Sequence, residues 1–100
     1  MIELGGSIEL VGFKEFEPSE LVVLKKIIGN FVRKFADNVE GYEKLTISIK
    51  RVGSPKSNKF EVQTKLMVSA KPVNSDVTEN NVFVAIAECL KKIENQVIKH

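Results

Sequence analysis

The residues in this chain whose types and spacing suit chemistry are its cations. Lys26, Arg33 and Lys34 fall within one stretch of helical periodicity, and Lys91, Lys92 and Lys99 within a second. All six lie off the apolar stripe of their segment, so they belong to polar helix faces. Cations carried this way suit phosphates spaced along an RNA backbone. Charges on polar helix faces also keep ordinary proteins soluble, and spacing alone leaves both readings open. A second basic set, Lys50, Arg51, Lys56 and Lys59, brackets a polar loop, with Lys65 on the strand that follows. Such a loop reaches into a groove or cleft, or is a solvated turn.

Catalytic and metal chemistry lacks its parts. The only cysteine is Cys89 and the only histidine is the last residue, His100. A closed zinc site needs about four ligands drawn mainly from these types, and a cysteine nucleophile needs a base. Cys89 falls in an apolar helical pattern, where a free cysteine behaves as a small buried hydrophobe. The acidic residues are scattered, with no spacing that argues for a carboxylate pair. Gly5-Gly6 lacks the Gly-x-Gly-x-x-Gly or Gly-Lys-Ser/Thr context of a phosphate loop and reads as a turn or bulge. The expectation is a non-enzymatic protein without metal or cofactor.

One hundred residues suffice for one domain and are too few for two. Hydrophobic residues at 43% and charged residues at 28% fit a globular chain rather than a disordered one. A single cysteine forms no internal disulfide. The N-terminus has no basic region followed by a long apolar run, so neither a signal peptide nor a membrane span is expected, and the cytoplasm is the default. The net charge is +2: the first fifty residues carry seven basic and eight acidic groups, the last fifty eight and five. This permits an anionic partner without demanding one.

The elements that must position these side chains follow from periodicity. Ile2/Leu4 and Ile8/Leu10 both alternate with glutamates across Gly5-Gly6; the stretch Ser7 to Phe13 is the better strand, with Gly12 marking its exit. A helix is expected from Pro18, suited to the first helical position, to Ala36, on the stripe Leu21, Leu24, Ile28, Phe31 and Phe35. Leu45, Ile47 and Ile49 then alternate with Thr46, Ser48 and Lys50, and after the loop 53–58 the alternation resumes from Phe60 to Ala70, which predicts a hairpin. Lys71-Pro72 closes that strand or enters a turn. Val73, Ser75 and Val77 mark a short edge strand. Thr78 or Asn80 caps a last helix with the stripe Val82, Ala85, Ile86, Cys89, Leu90, Ile93 and Val97, and Glu88 stands four residues before Lys92 in the favourable order.

Strands with one apolar face and helices with one apolar stripe are satisfied together when both helices cover one side of the sheet. The expected fold class is α+β, in the order β-α-β-β-β-α. The four-stranded mixed sheet has order 1-2-3-4 and its first pair is parallel through a right-handed crossover. The two polar helix faces then point into one hemisphere, giving a basic surface roughly 20 Å across at a helix spacing of about 10 Å. The open sheet face has no aromatic residue of the kind that stacks on single-stranded bases, so shape and phosphate recognition is the favoured mode. A protein-interaction or homodimeric module that uses the uncapped last strand and the mixed open face, with Val11, Val52 and Met67, is the alternative.

The run Val73 to Val97 resembles the bacterial ribosome hibernation factors, also called ribosomal subunit interface proteins. That family typically has a short strand, an acidic residue, an apolar-aromatic pair and Ala-Ile-Asp, and later Lys-Leu-Glu-Arg-Gln. This chain reads Asn81-Val82-Phe83-Val84-Ala85-Ile86-Ala87 and then Lys92-Ile93-Glu94-Asn95-Gln96. Asn81, Ala87 and Asn95 stand where the family has an acid, an aspartate and an arginine. The resemblance implies a fold like a double-stranded-RNA-binding domain with an extra first strand. It also implies ribosomal RNA as the partner, contacted by basic residues on the helices; Lys92 matches a basic position of the family, with Lys91 and Lys99 nearby.

Overall fold

In the computed structural model, residues 2–3, 8–53 and 59–98 are described. Gly5-Gly6, Lys56, Lys99 and His100 lie outside them. The elements are β1 (Ile2–Glu3), β2 (Ile8–Val11), α1 (Pro18–Asn38), β3 (Tyr42–Val52), β4 (Lys59–Val68), β5 (Lys71–Glu79) and α2 (Val82–Val97). The four strands β2 to β5 form the mixed sheet in sequential order, with β2 parallel to β3 and the rest antiparallel. Of the first alternating stretch, Ile2–Glu3 is strand and Leu4 lies outside the described residues: β1 adds a short antiparallel ribbon, with Ile2 opposite Leu10.

β2 is shorter than expected because the chain turns at Gly12. Its φ of 84° belongs to the left-handed region, and a Cβ there would run into the Ile49 carbonyl oxygen. Only glycine combines that backbone angle with so close an approach. The chain then buries Phe13 and Phe16, whose rings stand 6.2 Å apart, and Phe16 meets Phe60 of β4 at 5.9 Å. The first amides of α1 gain a partner locally: the Glu17 N–H donates to Glu20 Oε1 at 3.0 Å. The helix runs two residues past the expected end, to Asn38, whose side chain donates to the Lys34 carbonyl at 2.9 Å.

The β3–β4 hairpin has the expected pairing, with Ile47 opposite Thr64 and Lys50 opposite Glu61. The next hairpin differs from expectation. Ser69 and Ala70 form its two-residue loop, with φ of 50° and 66°, the type I′ geometry usually supplied by Asn-Gly. Distant groups hold the loop: the Ser69 N–H donates to the Gly41 carbonyl at 2.9 Å and the Ala70 N–H to Glu43 Oε1 at 2.6 Å. Lys71-Pro72 therefore opens β5 instead of closing β4, and β5 is nine residues long rather than short. Pro72 is tolerated because β5 is an edge, where a missing N–H need not cost a ladder bond. Since β5 extends to Glu79, Thr78 belongs to the strand. Asn81, not Thr78 or Asn80, caps α2, accepting from the Phe83 and Val84 N–H groups at 2.9 and 3.1 Å.

The α2 stripe packs over β4 and β5, and α1 lies beside α2 over β3. Leu24, Ile28 and Phe35 of α1, Ile86, Leu90 and Ile93 of α2, and the inward side chains of β2 to β5 share one core. Buried Thr64 and half-buried Ser75 reach its Cys89. The Thr64 hydroxyl donates to Cys89 Sγ at 3.1 Å, and the Ser75 hydroxyl donates to the Cys89 carbonyl at 2.8 Å. Cys89 is thus an interior residue with occupied neighbours, as its sequence pattern predicts.

Candidate nucleic-acid interface

The sheet sets the direction of both helices. β2, β3 and β5 run the same way, so α1 after β2 and α2 after β5 both return from the same end and lie side by side, parallel. An ion pair joins them: Lys34 Nζ stands 3.4 Å from Glu94 Oε1. The Lys34 ammonium also lies 5.3 Å from the centre of the Phe31 ring.

Each residue along a helix turns by about 100°, and this sorts the predicted cations. Lys26 and Arg33, two turns apart, share the outermost line of α1, opposite Leu24, Ile28 and Phe35. Both are exposed and unpaired among the described residues. Lys34, one residue on, swings toward α2 and is committed to Glu94. On α2, Lys91 is exposed and lies within one turn of Glu94, on the side nearer α1; it too is unpaired among the described residues. Lys92 points the other way and donates to the Asp76 carbonyl of β5 at 3.3 Å, so it does not form the expected pair with Glu88. Lys26, Arg33 and Lys91 therefore occupy the outward faces of neighbouring helices, with Lys34 between them and Lys92 over the sheet edge. Glu88 and Asp37 are exposed acids on the same layer.

Glu94 is the residue that the pattern of cations gave no reason to single out. It is buried, although acidic, two residues after Lys92. Its position four residues after Leu90, on the flank of the buried stripe, is the signal that was there to read.

The hairpin cations sit at the end of the sheet from which the helices start. Arg51 lies 3.6 Å from Glu15 Oε2, its guanidinium 5.4 Å from the Phe60 ring centre. Lys50 and Lys59 are exposed. A cleft of about 530 Å³ lies here, lined by Gly12, Lys14, Glu15, Ile49, Lys50 and Arg51. Arg33 and Lys91 are in the later parts of helices that run away from this end, so the two basic sets are separate.

The open sheet face is a shallow polar trough of about 430 Å³, lined mainly by Thr46, Ser48, Gln63, Lys65, Asn74 and Asp76. Its charges balance: Lys44 pairs with Glu9 at 2.9 Å, and Lys50 stands opposite Glu61. The β5 edge is not uncapped, contrary to expectation. Lys92 covers the Asp76 carbonyl, Gln96 Nε2 donates to the Asn74 carbonyl at 3.2 Å, and Pro72 offers no N–H. An edge so occupied is a poor template for another strand.

Among the described residues, no group of three or more His, Cys, Asp and Glu is gathered to hold a metal ion, and no helix is long and apolar enough to cross a membrane. No family model and no curated protein matches the sequence. Solved structures do match. The fold is that of ribosomal subunit interface proteins. One from Coxiella burnetii superposes with a TM-score of 0.60 at 12% identity, covering 91% of this chain and 90% of that one. The N-terminal domain of Thermus thermophilus Protein Y superposes with a TM-score of 0.54 at 16% identity, covering 89% and 90%. Coverage this complete extends the likeness from the last strand and helix to the whole topology.

Proposed function

We propose that the chain is a non-enzymatic, cytoplasmic protein that binds structured ribosomal RNA through the outward faces of α1 and α2. The observation that carries this is the pair of parallel helices, side by side on one face of the sheet, bearing Lys26, Arg33 and Lys91 without protein partners. Unpaired, mobile cations release counterions from a phosphate backbone at little desolvation cost. Lys34 and Lys92 flank the surface, and Lys99, outside the described residues, belongs to the same proposed set. The hairpin cations Lys50, Arg51 and Lys59 form an auxiliary contact at the far end, and Lys56, outside the described residues, belongs to the same proposed set. The likeness in fold to a ribosomal subunit interface protein points to ribosomal RNA rather than to another polyanion. The balanced charges and missing aromatics of the open sheet face argue against RNA on that side.

The test is co-sedimentation with purified ribosomal subunits from 50 to 200 mM salt, for the natural chain and for an Arg33→Glu/Lys91→Glu double variant. Binding should fall with salt, and the variant should lose about 0.7–0.9 of log–log slope for each phosphate contact removed. No sedimentation at the lowest salt, or equal binding by the variant, would refute the reading.

A further inference from the structure

Gly29 lies midway along α1, and nothing in the fold requires a glycine there. It is exposed, and a Cβ built on it meets no atom within 4 Å. Its backbone is ordinary helix. Glycine inside a helix destabilises it relative to alanine, so this position gives up stability without a gain in packing or geometry.

Its surroundings supply a reason. Val22, Lys26, Gly29 and Arg33 are spaced by four, three and four residues, so they form one ridge opposite the buried stripe. Val22 is 67% exposed. Lys26 and Arg33, about 10 Å apart along the axis by helix rise, make no hydrogen bond or ion pair among the described residues. Between these two cations the ridge drops to the level of the backbone.

We propose that Gly29 is a close-approach notch, where the sugar–phosphate backbone of bound RNA lies against α1 with Lys26 and Arg33 holding it on either side. This rests on the RNA reading above and adds to it an uncharged residue that sets how near the ligand comes. A side chain at position 29 would hold the phosphates away from both cations at once, weakening two charge-assisted contacts without removing a charge.

Gly29→Ala and Gly29→Gln test the notch, each by thermal melting and by binding to purified ribosomal subunits in a salt series. Gly29→Ala should melt about 4–8 °C higher, as expected for relief of a helical glycine in a chain of this size. Binding should nonetheless weaken, modestly for alanine and about tenfold for glutamine, the scale of one displaced close contact. The log–log salt slope should fall by less than about 0.7–0.9, the cost of a lost phosphate contact, because both cations remain near the backbone. If both variants bind as the natural chain does, the notch is overturned. A Lys26→Glu/Arg33→Glu variant separates the two levels. Its loss of binding beside an unaffected Gly29→Gln removes the notch alone, whereas failure of the natural chain to bind at 50 mM salt removes the RNA reading and the notch together.

Discussion

Glu94→Gln should make the chain a better RNA binder at a cost in stability of at most about 1 kcal/mol. Glu94 is 11% exposed at the side chain and Lys34 58%, with 3.4 Å between their charged atoms. Because the lysine is mostly in water, the pair contributes only about 0–1 kcal/mol, so Glu94→Gln should move the melting temperature by no more than about 4–8 °C. Its effect on binding is larger in kind. Glu94 places a negative charge between Arg33 and Lys91 and holds Lys34 away from any ligand. A carboxylate about 8 Å from a phosphate repels it by about 0.5 kcal/mol in water, less the screening of a Debye length near 10 Å. Release of Lys34 adds about one phosphate contact, or 0.7–0.9 in log–log salt slope. Together these give about 0.5–1 kcal/mol, a two- to fivefold gain near 100 mM salt. Filter binding to ribosomal RNA between 50 and 200 mM salt measures both quantities. If Glu94→Gln keeps its melting temperature but binds no more tightly, with an unchanged slope, the groove between the helices is not where phosphates sit.

Three further outcomes test the fold that carries the surface. Gly12→Ala should destabilise the chain by about 2 kcal/mol or more, because a left-handed alanine costs about 1–2 kcal/mol and its Cβ meets the Ile49 carbonyl; a chemical denaturation midpoint equal to the natural one would be inconsistent with this. Ser69→Asn/Ala70→Gly should raise stability by about 1–2 kcal/mol, since both residues already hold positive φ and Asn-Gly adopts it at lower cost, read from the shift in unfolding midpoint. Cys89→Ala should lose about 1–3 kcal/mol by leaving the buried Thr64 hydroxyl without its acceptor. Cys89→Ser, which keeps an acceptor, should lose less, and equal losses would show that the Thr64 hydrogen bond contributes nothing.

What could be read from the sequence was what local periodicity encodes. The alternation at Leu45, Ile47 and Ile49, the stripe from Leu24 to Phe35 and Pro18 at the helix start each state their element within a few residues. The Ser69-Ala70 loop could not be read this way, because neither residue carries the usual turn chemistry. Its geometry depends on Gly41 and Glu43, more than 25 residues earlier. With the loop hidden, Lys71-Pro72 looked like punctuation rather than the start of a tolerant edge strand. The candidate site divides similarly. Exposure of Lys26, Arg33 and Lys91 follows from the 3.6-residue period, whereas the commitment of Lys34 depends on a partner sixty residues away. The divergence of Lys91 and Lys92 was implicit in their adjacency, but only the position of the β5 edge shows where Lys92 goes.

The two faces of the molecule put charge to different uses, and the proposed RNA surface rests on that difference. On the open sheet face, cations stand within reach of acids set by strand register, Lys44 on Glu9 and Lys50 opposite Glu61. A phosphate arriving there meets a field that largely cancels within a Debye length. On the helix layer the acids are placed differently. Glu20 is in the first turn of α1 and Asp37 in its last, Glu88 is an exposed residue of α2, and Glu94 is turned inward against Lys34. Lys26, Arg33 and Lys91 are left without partners among the described residues, although the chain as a whole is only +2. The topology sets this arrangement: three strands running the same way make the two helices parallel, and parallel neighbours carry their cations outward on one side. Neutralising Lys44 or Lys65 on the sheet should accordingly change RNA affinity far less than neutralising Arg33 or Lys91, even though every one of these substitutions changes the net charge by the same amount.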